Sequence, residues 1–426
     1  MPLKEKKDLN IAVVGAGVSG ITTAYILDRR HRVTLFEKND YFGGHTHTIV
    51  LKEGPDPGIA VDTGFIVLNQ RTYPHFLALL AQLGAEVRPT DMSFGYYCER
   101  TGLCYASSSL DSVFAQRKNL FRFKYWRFLF ELATYLKDLR RDYQEGRLED
   151  VTLSEYIRQK GLHQEVKEQF IIPMAAAIWS ASDLQMGEFP VKTFARFYEN
   201  HGLLSLTGHP PWYTVKGGSH TYVNRFLEKF SGRAVKNARI SGIRREEDRV
   251  EVRFSDQAPQ SFDAVILACH ADEALELLED PSEQEKRLLG AWTYSNNKVY
   301  LHTDSAVMPP SKRAWASWNY IRRMDSAGGS PVTVTYDMNR LQGLETSTPY
   351  FVTLNPAHPI SKGHVIKELN YTHPEYSFET LGTQKELPSL NGYRNTFFCG
   401  SYFSYGFHED GVKSALAVGS HFGVGL

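Results

Sequence analysis

Residues 10–20 read Asn-Ile-Ala-Val-Val-Gly-Ala-Gly-Val-Ser-Gly, and this stretch decides the fold of the chain. Its first five residues form an apolar, largely β-branched run that is typical of a buried parallel strand. Gly15, Gly17 and Gly20 follow at once, and residues 18–29 have the composition of a helix. Gly15 permits the tight turn, Gly17 lets the backbone approach a pyrophosphate, and Gly20 lets helix and strand pack closely. The pattern predicts a dinucleotide site in which the helix N-terminus binds the phosphates.

An acidic residue lies at the position that would contact the ribose of a bound nucleotide. A second apolar strand, residues 32–36, ends at Glu37, which comes 17 residues after Gly20. A carboxylate at this place accepts hydrogen bonds from ribose hydroxyls, and the combined pattern is far more specific than an isolated glycine-rich turn. Ser19 in the first helical turn and Lys38 beside Glu37 are included in the predicted cofactor contacts.

The residues after Glu37 distinguish the type of dinucleotide. Five residues separate Glu37 from Gly43-Gly44, and this signature resembles the FAD-dependent amine oxidase and phytoene desaturase superfamily. In that superfamily the glycine pair lets the chain pass close to the pyrophosphate and the flavin, so the resemblance implies FAD. His45 and Thr46 follow the pair and are predicted cofactor contacts, although the superfamily usually has arginine or lysine where this chain has His45.

A segment near the C-terminus is predicted to bind the flavin end of the cofactor. An apolar strand from Thr396 ends at Gly400 and Ser401, and Gly411 lies at the start of a predicted helix. The arrangement resembles the C-terminal motif of the same superfamily, in which a helix N-terminus faces the N1 and C2 edge of the flavin. Such an N-terminus stabilises the negative charge that reduced flavin carries near N1. By its position in this motif, Val412 is predicted to supply the backbone N–H.

Three further residues bear on how the cofactor is held. The superfamily often has an acidic residue two positions after the strand glycine, where this chain has Tyr402. A middle segment, residues 213–268, resembles the superfamily's nucleotide-domain insert, in which a residue at the position of Val235 contacts the adenine side through its backbone. The resemblance places no cysteine in the loop that carries covalent flavin. Cys399 lies within a strand and is better explained as a small buried residue, so non-covalent FAD is predicted.

The cofactor segments lie at the start, in the middle and at the end of the chain, which predicts two interleaved domains. An α/β domain of the Rossmann type that binds FAD is predicted from residues 1–85, 205–290 and 389–426. An α+β substrate domain, an antiparallel sheet flanked by helices, is predicted from residues 86–204 and 291–388. Within the substrate domain the pattern predicts strands at 297–303, 314–321, 332–336 and 350–354, and a helix at about 111–143.

The composition disfavours several classes of protein. Lys+Arg and Asp+Glu are equal at 48 each, so no excess of positive charge favours binding to nucleic acid. The four cysteines fit no zinc pattern, and His45 and His47 lack a companion carboxylate or cysteine cluster, so no metal is predicted. The longest candidate span, residues 170–179, has about half of the roughly 20 residues needed to cross a bilayer. A reducing, cytoplasmic setting is expected.

Several strings outside the cofactor segments narrow the resemblance. Residues 173–180, 301–304, 315–320 and 336–342 resemble a bacterial branch of FAD-binding proteins that is similar to the N-terminal flavin region of plant cyclopropane fatty acid synthases. This resemblance implies an oxidoreductase that passes hydride from a lipid-like, fatty acyl substrate to flavin N5, near a lipid methyltransferase partner. An amine oxidase, a flavin-dependent double-bond isomerase and a non-redox accessory protein are the alternatives.

Lys298 is the predicted catalytic residue. It lies in a predicted strand that resembles, by its order in the chain and its basic-then-apolar pattern, a strand of the flavin amine oxidases. In those enzymes a lysine on the corresponding strand often reaches flavin N5 through a water. A buried ammonium group there would favour electron-rich flavin. The alternative is an exposed lysine that forms a surface salt bridge.

Residues 114–128 interleave aromatic and basic side chains. Such a mixture is typical of a segment at a membrane surface, with aromatic rings in the interface and cations on lipid phosphates. The alternative is a core helix whose long cationic side chains reach past its apolar surface to solvent. Peripheral contact with a membrane is therefore one of two predictions for this segment.

Overall fold

The computed structural model describes residues 3–205, 208–324 and 331–426 of the chain. Over these residues the chain forms twenty strands and fifteen α-helices. The strands are β1 (Asn10–Val14), β2 (Arg32–Phe36), β3 (Thr48–Val50), β4 (Ala60–Asp62), β5 (Val67–Asn69), β6 (Val87–Thr90), β7 (Phe94–Cys98), β8 (Cys104–Ala106), β9 (Trp212–Val215), β10 (Arg233–Val235), β11 (Ile240–Arg245), β12 (Val250–Phe254), β13 (Gln260–Phe262), β14 (Ala264–Leu267), β15 (Tyr294–His302), β16 (Trp318–Arg322), β17 (Val334–Asp337), β18 (Phe351–Leu354), β19 (Val365–Pro374) and β20 (Thr396–Phe398). The helices are α1 (Val18–Leu27), α2 (Pro74–Leu83), α3 (Leu110–Val113), α4 (Phe123–Gln144), α5 (Leu153–Gln159), α6 (Gln164–Val166), α7 (Ile172–Trp179), α8 (Asp183–Gly187), α9 (Val191–Asn200), α10 (His220–Lys229), α11 (Ala271–Leu277), α12 (Glu283–Gly290), α13 (Met338–Gln342), α14 (Phe378–Thr383) and α15 (His408–His421).

A parallel sheet in the order β10–β2–β1–β14–β20 forms the centre of the nucleotide-binding part. Its central strand, β1, is apolar and buried from Ile11 to Val14 because both faces of the sheet are covered. Ile11 and Val13 pack with residues of α1 and α15 on one face, and Ala12 and Val14 pack with residues of β12 and α11 on the other. The predicted strands at residues 10–14 and 32–36 are confirmed.

Three separate stretches of the chain supply this sheet. β1 and β2 come from its start, β10 and β14 from its middle, and β20 from its end, and all of them pair in parallel. The prediction of an α/β fold with a Rossmann-type sheet assembled from distant segments is confirmed. The domain boundaries drawn above stay a prediction.

A second, seven-stranded sheet has the order β19–β15–β18–β17–β16–β7–β8 and is antiparallel except where β7 pairs with β16. Its strands β15 to β18 correspond to the four strands predicted from the sequence, whereas the sequence analysis missed β7, β8 and β19. The pairing of β19 with β15 places Tyr371 opposite Asn297 and His373 opposite Ser295. Because of this register, Tyr371 and His373 lie next to Asn297 and Ser295 at the site described below.

The predicted single helix over residues 111–143 is wrong in its first third. α3 is a short helix closed at its start by a capping box between Ser109 and Ser112, and α4 begins only at Phe123. Arg122 separates the two with an extended backbone, φ −103° and ψ 111°. Throughout the described ranges, no helix combines the length and the apolar character that crossing a membrane requires.

Candidate functional site

The turn between β1 and α1 leaves room for a phosphate group. Gly15 has a φ of 99°, in the left-handed region that side chains rarely adopt. A Cβ atom on Gly20 would lie 1.8 Å from the carbonyl oxygen of Gly15, so the fold itself requires glycine there. A Cβ atom on Gly17 would meet no atom within 4 Å. Gly17 therefore borders open space directly at the N-terminus of α1.

The second pair of glycines lies against this turn. Gly43 and Gly44 have φ values of 125° and 58°, and a Cβ atom on Gly44 would lie 3.1 Å from the Cα atom of Gly17. The N–H of Gly43 donates a hydrogen bond of 2.8 Å to the carbonyl oxygen of Ala16. The two glycine segments thus border the same space.

Glu37 is buried at the end of β2 and faces the glycine turn. Its Oε2 accepts a hydrogen bond from the N–H of Ala16 at 2.8 Å. Its Oε1 accepts from the N–H and the side-chain amide of Asn39 at 2.9 and 2.8 Å. The N–H of Glu37 donates to the carbonyl oxygen of Val235 at 2.8 Å, which holds β10 beside it. The protein thus orients this carboxylate, which retains lone pairs for ribose hydroxyls.

Two of the predicted contact residues take other partners. The ammonium group of Lys38 forms an ion pair with Glu273 at the surface. Ser19 is buried in the first turn of α1, and its carbonyl oxygen accepts a hydrogen bond of 2.8 Å from the hydroxyl of Thr23. A Cβ atom on Gly411 would lie 2.8 Å from the hydroxyl oxygen of Ser19. Ser19 therefore lies at the contact between α1 and α15.

The close packing of α15 on α1 brings two helix N-termini together. Gly411, in the first turn of α15, lies so near Val18 that a Cβ atom there would approach Cγ1 of Val18 to 2.7 Å. At both N-termini the dipole and the free N–H groups favour negative charge. An open cavity of 280 Å³ borders the start of α15 and is lined in part by Tyr405, Phe407 and Asp410.

The start of α15 corrects the prediction for Val412. The helix begins at His408, so Val412 is its fifth residue and lies within the intrahelical hydrogen-bond series. The carboxylate of Asp410 accepts a hydrogen bond from the N–H of Phe407 at 3.0 Å, and this cap starts the helix earlier than predicted. Helix geometry therefore leaves free the N–H groups of His408 and Glu409 rather than that of Val412.

Gly400 and Ser401 connect β20 to the turn before α15. The N–H of Gly400 donates to the hydroxyl of Ser414 at 3.0 Å, which ties the strand end to α15. Tyr402, where the superfamily often has an acid, is buried, and its ring centroid lies 5.7 Å from that of Trp292. This side chain fills the core and offers no carboxylate to the cofactor.

Two buried hydrogen-bond networks hold the chain after the glycine pair against α10. The hydroxyl of Thr46 bonds to the hydroxyl of Tyr222 at 2.6 Å and to Nε2 of His408 at 2.9 Å. The carboxylate of Asp62 accepts from the N–H and the hydroxyl of Ser219 at 2.9 and 2.8 Å. Burial raises the pKa of Asp62 to about 6. Both side chains therefore hold the chain after the glycine pair in place, and the contact of Thr46 with the cofactor stays a prediction.

Several histidines gather beside the Gly43-Gly44 turn. The ring centroid of His45 lies 5.1 Å from that of His373 and 5.1 Å from that of Tyr371. The Nε2 atom of His45 is buried and has no hydrogen-bond partner in the part of the chain that the structure describes. This nitrogen is therefore available for a hydrogen bond with a bound group or a water molecule.

The imidazoles of this cluster are neutral at physiological pH. Burial lowers the pKa of His45 well below its usual range, and His373 and His270 lower it further. Burial also lowers the pKa of His373 to about 4 and that of His408 to about 3. Nδ1 of His373 accepts a hydrogen bond of 3.0 Å from the amide of Asn297, so the proton of this ring lies on Nε2. The cluster therefore offers hydrogen bonds without positive charge.

Lys298 does not enter the site, and the prediction that it approaches the flavin is wrong. Side chains along β15 alternate between two faces: Asn297 and Val299 are buried, whereas Lys298 is exposed. A difference of one residue in a strand moves a side chain to the opposite face. The inward-facing polar residue is Asn297, whose side-chain oxygen accepts a hydrogen bond of 2.7 Å from Asn355.

These features together fit FAD. The open space at Gly17, the two converging helix N-termini and the carboxylate of Glu37 suit a pyrophosphate with its ribose, and Nε2 of His45 lies free beside the glycine pair. Cys399 is completely buried, and burial raises the pKa of its thiol to about 12, so it offers no thiolate for covalent attachment. In the described ranges, no group of three or more His, Cys, Asp or Glu side chains could hold a metal ion.

Replacing Glu37 by alanine is expected to weaken FAD binding by about 1.5–3 kcal/mol, because hydrogen bonds to a charged group are lost. Titration of the apoprotein with FAD, followed by flavin fluorescence, measures this change. Lys38→Ala is the matched control, since Lys38 pairs with Glu273, and it should leave the affinity unchanged. Equal affinity of the wild type and the Glu37 variant would show that the ribose binds elsewhere.

Comparison with known families gives a match over most of the chain. The model of the flavin containing amine oxidoreductase family matches residues 18–418. A 1-hydroxycarotenoid 3,4-desaturase from Flavobacterium sp. (strain P99-3) is 33% identical over 94 residues, which are 22% of this chain. The match spans 17% of the length of that desaturase.

Two solved structures have a similar architecture. A CLA-producing fatty acid isomerase from P. acnes has a TM-score of 0.67 and 16% identity, with 96% of this chain and 97% of that chain covered. Cyclohexylamine oxidase from Brevibacterium oxydans IH-35A also has a TM-score of 0.67 and 16% identity, with 97% and 99% covered. At this level of identity the likeness shows a shared fold.

Proposed function

The chain belongs to the family of flavin-containing amine oxidoreductases, and from this we propose that it removes hydrogen from a lipid-like substrate with a fatty acyl chain. It is an FAD-dependent oxidoreductase, because the family is flavin-containing and the chain has a dinucleotide site. FAD supplies the acceptor for a hydride at this site. What we propose is that the substrate is an acyl chain and that one residue of this chain accepts the proton.

The observation that carries the proposal is a row of aromatic side chains that leads to the N-terminus of α15. Phe407, directly before α15, stacks on Phe197 with 5.0 Å between ring centroids, and Phe197 lies 4.7 Å from Trp179. These rings belong to or pack against a large apolar cluster that includes residues of α4, α7 and α9. A large apolar surface of this kind supports a hydrocarbon chain as the substrate, while the attraction of aromatic rings for cations keeps an amine as the second candidate.

His45 is the proposed proton acceptor. Removal of hydrogen from two adjacent carbons breaks two C–H bonds and forms a C=C bond; one hydrogen would leave as a hydride, for which bound FAD would be the acceptor, and the other would leave as a proton. Nε2 of His45 is buried beside the glycine pair and has no hydrogen-bond partner among the described residues, and in the tautomer protonated on Nδ1 it carries the lone pair that would accept the proton. His373 and Tyr371 pack around this ring and hold it in place.

The relatives act, by their names, on more than one class of substrate. Two of them are by name a fatty acid isomerase and a hydroxycarotenoid desaturase, whereas a third is an oxidase of cyclohexylamine. An amine oxidase is therefore the second candidate function. A lipid methyltransferase partner stays a prediction from the sequence.

Anaerobic mixing of the holoenzyme with candidate substrates tests the proposal. A fatty acyl phospholipid or a free fatty acid is expected to bleach the flavin absorbance and to yield a product lighter by two hydrogens. Bleaching by alkylamines alone would establish the amine oxidase instead. A product of unchanged mass with a moved double bond would identify an isomerase. If no substrate bleached the flavin and no product formed, the non-redox accessory role would be the function that is left.

A further inference from the structure

Exposed apolar side chains are concentrated in one short region of the surface. Six of the twelve exposed large apolar residues in the described part of the chain fall between residues 110 and 130. We call this group the aromatic tip; it consists of Leu110, Leu120, Phe121, Phe123, Trp126 and Phe130. Phe121, Phe123 and Phe130 are 90%, 80% and 73% exposed, so these rings protrude into solvent. Clusters of this kind mark interaction sites, whereas single exposed apolar residues do not.

Helix geometry separates the aromatic tip from the core. Phe123, Trp126 and Phe130 are three and four residues apart and therefore lie on one face of α4. Tyr125 and Phe128, on the opposite face, are buried in the apolar cluster of the helical region. Half of the aromatic residues in this basic segment thus serve the core, whereas the rings of Phe121, Phe123 and Trp126 are exposed.

Unpaired cations surround the aromatic tip. Lys118, Arg122 and Lys124 are exposed, and none of them forms an ion pair with a described residue. Arg117 and Arg127, by contrast, pair with acidic side chains. Residues 117–127 contain no acidic residue, so the tip carries a local positive charge although the whole chain is neutral.

We propose that the aromatic tip docks the enzyme on an anionic lipid bilayer. Protruding phenylalanine and tryptophan rings insert at the level of the headgroups, and free cations next to them bind lipid phosphates. A surface of lipid phosphates fits this region better than a protein face of mixed charge, because residues 117–127 carry cations and no acidic residue. The inference rests on the surface alone and holds whether the substrate is an acyl chain or an amine.

Flotation of the FAD-loaded enzyme with lipid vesicles tests the docking. The enzyme is expected to bind vesicles of phosphatidylcholine and phosphatidylglycerol, to bind pure phosphatidylcholine far more weakly, and to be released as salt rises, since exposed charge is screened. Absence of binding to the anionic vesicles at low salt, or binding that neither lipid charge nor salt affects, would overturn the proposal.

Two sets of variants separate the two components of the surface. Lys118→Gln, Arg122→Gln and Lys124→Gln together are expected to weaken binding about 100-fold, since each cation near an anionic surface contributes about fivefold. The control Lys52→Gln, Lys362→Gln and Lys385→Gln removes the same charge from exposed lysines elsewhere, and it should retain wild-type binding. Equal losses in both sets would show that only overall charge matters and would contradict a defined docking surface.

The aromatic component has its own matched pair. Phe121→Ser with Phe123→Ser is expected to weaken vesicle binding at least about tenfold. The reason is that the transfer of two aromatic rings from water into the membrane interface no longer contributes to binding. Phe378→Ser, an exposed phenylalanine on α14, should have no effect. FAD content and melting temperature should be those of the wild type in every variant. If the wild type is instead a dimer that the double serine variant converts to a monomer, the surface binds a second copy and the lipid proposal is wrong.

Discussion

Alanine at position 17 is expected to lower the affinity for FAD at least about 100-fold while the apoprotein folds normally. Gly17 has a negative φ of −73°, which alanine adopts freely, and its Cβ atom would meet no protein atom within 4 Å. The added methyl group would stand at the N-terminus of α1, where the backbone has to approach the pyrophosphate. Titration of the apoprotein with FAD and the melting temperature of the apoprotein measure the two effects separately.

Two other glycines give controls for this prediction. Gly363→Ala also has open space around the new Cβ atom but lies far along the chain from the glycine turn, and it should change neither affinity nor stability. Gly20→Ala should instead lower the stability of the apoprotein, because its Cβ atom would overlap the carbonyl oxygen of Gly15. Wild-type affinity in the Gly17 variant would mean that the phosphates do not pass this turn.

The second large effect is expected at His45 and not at Lys298. His45→Leu removes Nε2 from the site, and substrate-dependent flavin reduction is expected to slow about 100-fold or more, as general acid–base groups contribute 10²–10⁴-fold. Lys298→Met removes an exposed charge on the other face of β15 and should leave the rate within about twofold, as surface substitutions away from a site do. Rates are compared per bound flavin, so that partial loss of FAD in the His45 variant does not obscure the result.

The opposite outcome is equally informative. A slow Lys298 variant together with an unaffected His45 variant would show that the strand presents its other face to the flavin and that the proton goes elsewhere. If His45→Leu slows flavin reduction and also has a much lower melting temperature, His45→Gln is the variant to compare, because it retains a hydrogen-bonding side chain. That variant should recover the fold but not the rate, because an amide does not accept a proton.

The nucleotide half of the site could be predicted from the sequence because its determinants are local. Gly15, Gly17 and Gly20 act within one turn, and their need for space follows from the backbone that surrounds them. Glu37 comes at the end of the next strand, and parallel pairing with β1 places it at the same edge of the sheet. Spacing along the chain therefore corresponds to distance in space, and the dinucleotide site followed from it, whereas the resemblance to the superfamily implied that the dinucleotide is FAD.

The flavin half was only partly predictable, because small shifts along an element change which atom faces the site. One residue along β15 separates the buried Asn297 from the exposed Lys298, and the pattern of residue types did not decide between them. At α15, a cap by Asp410 starts the helix at His408, which removes Val412 from the free N–H groups. In both places hydrogen bonds and burial decided what the motif left open.

What the sequence by itself determined is the dinucleotide-binding turn between β1 and α1, since it depends on residues close together in the chain, and the resemblance of its motifs to a known superfamily implied the α/β fold and FAD. What only the tertiary structure decided is the cluster of neutral histidines, because His45, His270, His373 and His408 come from four distant segments. Strand β19, which the sequence analysis missed, delivers His373 through its pairing with β15. The low pKa of these rings comes from burial by the assembled chain, and no local pattern of residues contains that information.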